Sequence, residues 1–423
     1  RDKLVTGVQT CALPILYGKT IDQVLGVDVV LADGTRATFD LVEGTALQEK
    51  FAAPGLESDI YRGVRRIAHR EREEIAARYP DIQRRVSGYN LDEFTADGGM
   101  DLSRMIVGSE GTLAVVVAAR MRLVPLPRLK GVAALHFGSV VEACRAIPRA
   151  LTLDAASIEL IDDTIIHRCR ESIGYADLAD FVRGPAGALL MIEVAHDDAD
   201  ALRAHLARVE REMVAPGLAY DCVTTTDARD QARMWRMREA GLGLLMSLRG
   251  DAKPIAYVED TAVPPERLGD FVERFDAIVR AHGTEAAHYG HASVGCLHIR
   301  PVVNIKTEDG VATMFAIARE VADLVVEFGG SLSGEHGDGI LRGVFTERMF
   351  GPRLTEAFRE VKRTFDPQGI LNPGKIVDTP PFDDNLRLGP DTVNVEPRTV
   401  LDWAFEGGLA RAAEQCNGQA ICL

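Results

Sequence analysis

His288-Tyr-Gly-His291-Ala-Ser-Val-Gly-Cys-Leu-His298-Ile-Arg300-Pro-Val-Val303 is the stretch on which the reading of this chain turns. After Gly295 the side chains alternate, so a β-strand would place His298 and Arg300 on one face and Leu297 and Ile299 on the other. His291 precedes Gly295 in a stretch expected to turn, which lets the two histidines converge. Further along, Ser333-Gly-Glu335-His336-Gly-Asp-Gly339 adds a carboxylate and another imidazole among glycines. Neutral imidazoles with a carboxylate suit a divalent metal, zinc above all, with a coordination position left for substrate. A lone loop histidine more often bonds a backbone carbonyl. Several polar groups in two glycine-flanked loops point instead to an active site.

The rest of the chain supports a soluble globular reading. Its 423 residues suffice for two or three domains. A hydrophobic share of 46% beside 26% charged residues is ordinary for such proteins. The net charge of −15 argues against nucleic acid or an anionic membrane as partner, so an anionic substrate would need local arginines. The cysteines Cys144, Cys169, Cys222 and Cys296 are scattered without pairing spacing, as expected of reduced thiols in the cytoplasm. No apolar run reaches the roughly 18 residues of a membrane span.

Along the chain, Val27 to Phe39 reads as a β-hairpin turning at Asp33-Gly34. Ile60 to Arg78 reads as one charged helix, and Leu113 to Val124 as a strand closed by Pro125 and Pro127. The composition changes there. From Gly131 to about Ser331 strands and helices alternate as in an antiparallel sheet with helices on one face, giving an α+β class. The clearest helix is Pro265 to His282, with Leu268, Phe271, Val272 and Phe275 on one stripe and Gly283 as stop. Others are expected over Val311 to Phe328 and Leu354 to Phe365, followed by an irregular connection from Val377 to Pro397.

The two glycine-flanked segments resemble motifs of FAD-linked D-2-hydroxy-acid dehydrogenases of the vanillyl-alcohol-oxidase type, which include glycolate, D-lactate and D-2-hydroxyglutarate dehydrogenases. Gly108-Ser-Glu-Gly-Thr-Leu113 resembles the family's flavin-contacting turn, and Phe365-Asp-Pro-Gln-Gly-Ile-Leu-Asn372-Pro-Gly-Lys375 its C-terminal signature. Tyr17-Gly-Lys-Thr20 resembles the family's stretch just after its phosphate-binding loop. Cys416 and Cys422 resemble the opening of the iron–sulfur portion fused to one bacterial branch. The resemblance implies the C-terminal part of an FAD-binding domain (17–128), an antiparallel-sheet substrate-binding domain (129–335), a return segment contacting FAD (336–378), and a linker with the start of an iron–sulfur domain (379–423). Residues 1–16 look like a non-native scar. The flavin-diphosphate loop and the further cluster cysteines are expected in a longer protein, so this stretch alone is expected to hold flavin weakly and to be inactive.

Residue by residue, the resemblance gives the metal ligands as His291, His298 and Glu335. His336 is the residue that touches substrate and takes the hydroxyl proton, a role that suits an imidazole. Gly108, Ser109, Glu110, Gly111, Thr112 and Asn372 fall at flavin contacts, where glycine permits close backbone approach. Arg238 matches an arginine that holds the substrate carboxylate, although Arg233 and Arg236 share its helix. Arg300 stands where the family has asparagine. It fits either a second carboxylate, bound bidentately, or a surface ion pair. The family's lysine falls on Val258, with Lys253 as a substitute. The implied cofactors are FAD, a divalent metal and, in the longer protein, a four-iron cluster leading to an electron acceptor. The implied substrate is a small anionic 2-hydroxy acid, D-2-hydroxyglutarate before D-lactate or glycolate. A homo-oligomer is compatible with these expectations. Readings of other classes are a metallohydrolase and a non-catalytic subunit, against which the flavin-type turns argue.

Overall fold

The computed structural model describes residues 18–384, 386–395 and 397–416. The expected scar, Tyr17 and Cys422 lie outside the described residues. The chain divides into two compact units. One comprises Arg1–Pro125, Asp260–Val263 and Val325–Asp384; the other comprises Leu126–Glu259, Pro264–Leu324 and Asn385–Leu423. No helix among the described residues is long and apolar enough to cross a membrane.

In the first unit β1 (Val24–Val30) pairs antiparallel with β2 (Arg36–Phe39), Val30 lying opposite Arg36. The hairpin turns where Asp33-Gly34 predicts. Gly34 takes φ 85°, a conformation open to glycine, and the Leu31 N–H donates to the Thr35 carbonyl. β3 (Val115–Met121) completes a three-stranded sheet beside β1. The single helix expected from Ile60 to Arg78 is instead two, Leu56–Arg70 and Arg72–Arg78. The break falls at Glu71, a buried carboxylate bonded by Arg70 at 2.7 Å and Arg353 at 2.9 Å. A buried charge must be paired, and one partner comes from a distant segment that local periodicity does not see. The helix Thr346–Phe365, bent at Gly351 before Pro352, packs on Leu56–Arg70, where a Cβ on Gly63 would meet Thr364.

The second unit holds an antiparallel sheet in the order β8-β10-β9-β5-β6-β4-β7. The strands are β4 (Leu129–Phe137), β5 (Ser157–Asp162), β6 (Ala188–His196), β7 (Asp221–Thr225), β8 (Lys253–Pro254), β9 (Ala286–His291) and β10 (Cys296–Val303). Register fixes what shares a face. His298 lies opposite Tyr289, Arg300 opposite Ala287, and Tyr289 opposite Ile161. One face therefore carries Arg300, His298, Tyr289, His291 and Glu159. His291 is the last residue of β9, just before the turn expected to hold it.

The α+β class and the antiparallel sheet stand, but the expectation of helices on one face does not. The helix Ala228–Met246 buries Met234 and Met237 against Val132, Ala134 and Met191 on the face of Glu159. Ala199–Val214 covers the other face, where a Cβ on Gly131 would meet Leu202 and Leu206. Arg233, Arg236 and Arg238 interrupt the apolar stripe of the first helix, so its pattern under-reports its burial. The helix expected from Pro265 is present as a 3-10 turn, Pro265–Arg267, leading into Leu268–Ala281.

His288 projects from β9 onto the face opposite Tyr289. Its Nε2 lies 2.9 Å from Asp276 and its backbone N–H donates to Asp162. Burial would lower its pKa, but hydrogen bonds with Asp162 and Asp276 outweigh that and hold it at about 9. The folded value lies above the ordinary 6.5, so this stabilisation is complete below about pH 6.5 and is lost as pH rises through about 9. Unfolding free energy should fall by on the order of 1–3 kcal/mol over that window. A His288→Gln variant should lose that slope in denaturant titrations, and an unchanged slope would remove His288 as its cause.

Candidate active-site residues

In the first unit the Gly108–Thr112 turn is held from behind. The Thr112 hydroxyl donates to the Ser109 carbonyl and meets the Tyr89 hydroxyl at 2.7 Å. Lys362 binds the carbonyls of Thr112 and Leu371. Thr112 is fully buried, so its hydroxyl is engaged inside the unit and not displayed to a ligand. Gly108 and Gly111 take φ 82° and 70°, and a Cβ on either would enter open space. That leaves the turn's backbone approachable at the two glycines, the feature a flavin contact requires. Gly108 also lines a narrow cleft with Lys19, Arg84, Gly334 and Glu335. Asn372, at φ 38°, donates to the Glu110 carbonyl at 2.6 Å and so braces the same turn.

The Glu110 side chain points away from that open space. It accepts from the amides of Asp338 and Gly339 at 2.7 and 2.9 Å. Burial, and next the Asp338 carboxylate, push its pKa up to about 7. Glu335 is buried with its carboxylate 3.5 Å from the equally buried Arg84 guanidinium. His336 is partly exposed. Its amide donates to Asp260 at 2.8 Å, and its Nδ1 lies 3.8 Å from the same oxygen. Arg84 and Asp260 were missed as site residues from sequence. Arg84 has no local signature, and the Asp-x-x-x-Pro pattern that begins at Asp260 does not tell that Asp260 holds a loop distant in sequence.

In the second unit His291 Nδ1 lies 2.7 Å from Glu159, and His298 Nδ1 lies 2.9 Å from Glu259. The two rings stand edge to face with centroids 5.4 Å apart. On His291 the Glu159 carboxylate bonded to Nδ1 selects the tautomer that presents Nε2 outward, the arrangement usual for a metal-bound histidine. The donor chemistry fits a divalent cation. Glu159 and Glu259 were missed from sequence, since β5 meets β9 only through the fold.

The three arginines of the Ala228–Met246 helix separate cleanly. Arg233 reaches Asp180 at the surface, and Arg236 lies over Tyr175. Arg238 turns inward and holds Glu159 through both Nε and Nη2 at 3.0 Å. Burial would raise the Glu159 pKa, yet His291 and Arg238 hold it below the ordinary carboxylate value. Arg300 is 7% exposed, which excludes the surface ion pair. It lies 3.6 Å from Glu259, and the Arg300 and Arg238 guanidiniums sit 5.8 and 4.9 Å from the Tyr289 ring centroid. Lys253 does not join them. It pairs with Val303, which puts it on the face opposite Arg300, and its ammonium bonds the Leu248 carbonyl.

Residues 126–376 match the family described as FAD linked oxidases, C-terminal domain. The chain is 33% identical to the D-2-hydroxyglutarate dehydrogenase of Pantoea ananatis, over 97% of this chain and 41% of that protein. It is 31% identical to the D-lactate dehydrogenase of Archaeoglobus fulgidus, over 66% of this chain and 58% of that one. The chain thus spans about two fifths of the Pantoea relative's length. Among solved structures, p-cresol methylhydroxylase with substrate bound superimposes at a TM-score of 0.57, covering 89% of this chain and 68% of that one at 14% identity. At that identity the likeness speaks for fold alone.

Proposed function

The chain belongs to the FAD-linked oxidases that carry this C-terminal domain, and on that premise we propose that it is part of an enzyme oxidising a D-2-hydroxy acid to the 2-oxo acid. D-2-hydroxyglutarate is the favoured substrate, with D-lactate or glycolate as the alternative. The observation that carries the acid-binding part is the pair of arginines, Arg238 and Arg300, around Tyr289 on the face that also bears His298. Two guanidiniums largely shielded from water suit a substrate with two carboxylates, since each can bind one bidentately.

FAD would supply the acceptor for the C2 hydrogen, transferred as hydride, and the open backbone at Gly108 and Gly111 is where this chain would meet it. Ser109 and Asn372 complete that turn, Asn372 by bracing Glu110. The hydroxyl proton released with the hydride is taken by His336, whose backbone is fixed by Asp260. A divalent metal, zinc by its donor set, would lower the pKa of the substrate hydroxyl. Its proposed ligands are His291 and His298, with Glu335 as the third that the resemblance implies. In the longer protein the electrons would pass on to an iron–sulfur centre.

The test is spectroscopic. The complete enzyme should show flavin absorbance that D-2-hydroxyglutarate bleaches anaerobically, faster than D-lactate or glycolate does. A bound flavin left oxidised by all three acids would end this reading.

A further inference from the structure

The loop from Gly334 to Gly339 belongs to neither a helix nor a strand, yet each of its amides has an acceptor. Gly334 donates to the Asp260 carbonyl. Glu335 and His336 both donate to the Asp260 carboxylate, at 3.1 and 2.8 Å, and Gly337 donates to the Ser333 hydroxyl at 2.8 Å. Asp338 and Gly339 donate to Glu110, Gly339 reaching both carboxylate oxygens. Two carboxylates from distant parts of the sequence therefore grip the two ends of the loop, with His336 between them. Both belong to residues with left-handed backbones, Glu110 at φ 55° and Asp260 at φ 71°. A side chain other than glycine is held there only when its surroundings over-determine it. Gly337 fits the same account, since a Cβ there would come within 2.6 Å of Glu110 Oε1.

We propose that Glu110 is a positioning residue, tying the Gly108–Thr112 turn to the loop that bears His336 so that flavin contact and proton acceptor keep a fixed separation. Its backbone carbonyl is held by Asn372 and its side chain holds Asp338 and Gly339, so one residue links three segments of the first unit. The role rests on the proposed function, in which His336 takes the hydroxyl proton. It acts through His336 and not on substrate. A displacement of about 1 Å at a proton acceptor can cost on the order of 10²-fold in rate.

The experiment compares Glu110→Ala and Glu110→Gln with wild type in the complete enzyme. Glutamine keeps Oε1 for the Asp338 amide at 2.7 Å but puts an NH2 donor where Oε2 accepts from Gly339 at 2.9 Å, so it should rescue part of what alanine loses. In rapid-mixing measurements Glu110→Ala should slow flavin reduction by roughly 10- to 100-fold, with substrate KM little changed, while Glu110→Gln falls between alanine and wild type. Amide hydrogen exchange, read without substrate, should show protection at 338 and 339 lost in Glu110→Ala and kept at 338 in Glu110→Gln. Unchanged protection in Glu110→Ala, or flavin reduction no faster in Glu110→Gln than in Glu110→Ala, overturns the proposal. Should 2-hydroxy acids prove not to be substrates, the exchange measurement still decides whether the clamp exists, so the two failures remain distinct.

Discussion

Replacing His336 by alanine in the complete enzyme is expected to slow flavin reduction by about 10²–10⁴-fold, the usual worth of a positioned acid–base group. Flavin content should be unaffected. The imidazole is not part of the core: about 30% of its side chain is exposed, and its Nδ1 lies 3.8 Å from the Asp260 oxygen. That oxygen keeps the hydroxyl of Ser333 and the amides of Glu335 and His336, which do not depend on the ring. The loop should therefore hold its shape in the variant, and the lost rate reports on proton acceptance. Single-turnover reduction by D-2-hydroxyglutarate, followed by flavin absorbance, measures it directly. A rate within a few-fold of wild type would move the proton acceptor to another group.

What the sequence made legible is what local chemistry decides. Asp33-Gly34 sets a hairpin because the turn needs φ > 0, and Gly34 has it. The alternation after Gly295 put His298 and Arg300 on one face of a strand, and the register across β9 and β10 shows them there. Illegible were the groups that give those residues their chemistry. Glu159 meets His291 only because β5 lies beside β9, and Glu259 reaches His298 from the end of a loop. Glu71, where one helix ends and the next begins, pairs with an arginine nearly three hundred positions away. Periodicity also misjudged the sheet's second face, since Arg233, Arg236 and Arg238 made a covering helix look more polar than the side it buries. Arg238 itself was located by motif, but only the structure separates it from its neighbours.

Arg238→Met should produce two losses that can be told apart. The guanidinium holds Glu159 through two contacts at 3.0 Å, and Glu159 is 1% exposed. Removing one partner of a buried pair leaves a charge without compensation, at a cost of roughly 3–5 kcal/mol. The lower end applies, because Arg238 is itself 14% exposed in its side chain and Glu159 keeps His291. If Arg238 also holds a substrate carboxylate, KM for D-2-hydroxyglutarate should rise by something like 30-fold or more, corresponding to the roughly 2–5 kcal/mol of a truncated charge-paired contact. A second substitution, Glu159→Gln, separates the two effects. Glutamine still accepts from His291 Nδ1 but carries no charge to strand, so Arg238→Met/Glu159→Gln should recover most of the stability in denaturant titrations. It should recover none of the KM, since no cation has been restored to meet the acid. Recovery of KM together with stability would mean that Arg238 serves only to neutralise Glu159, and recognition of the acid would then rest on Arg300.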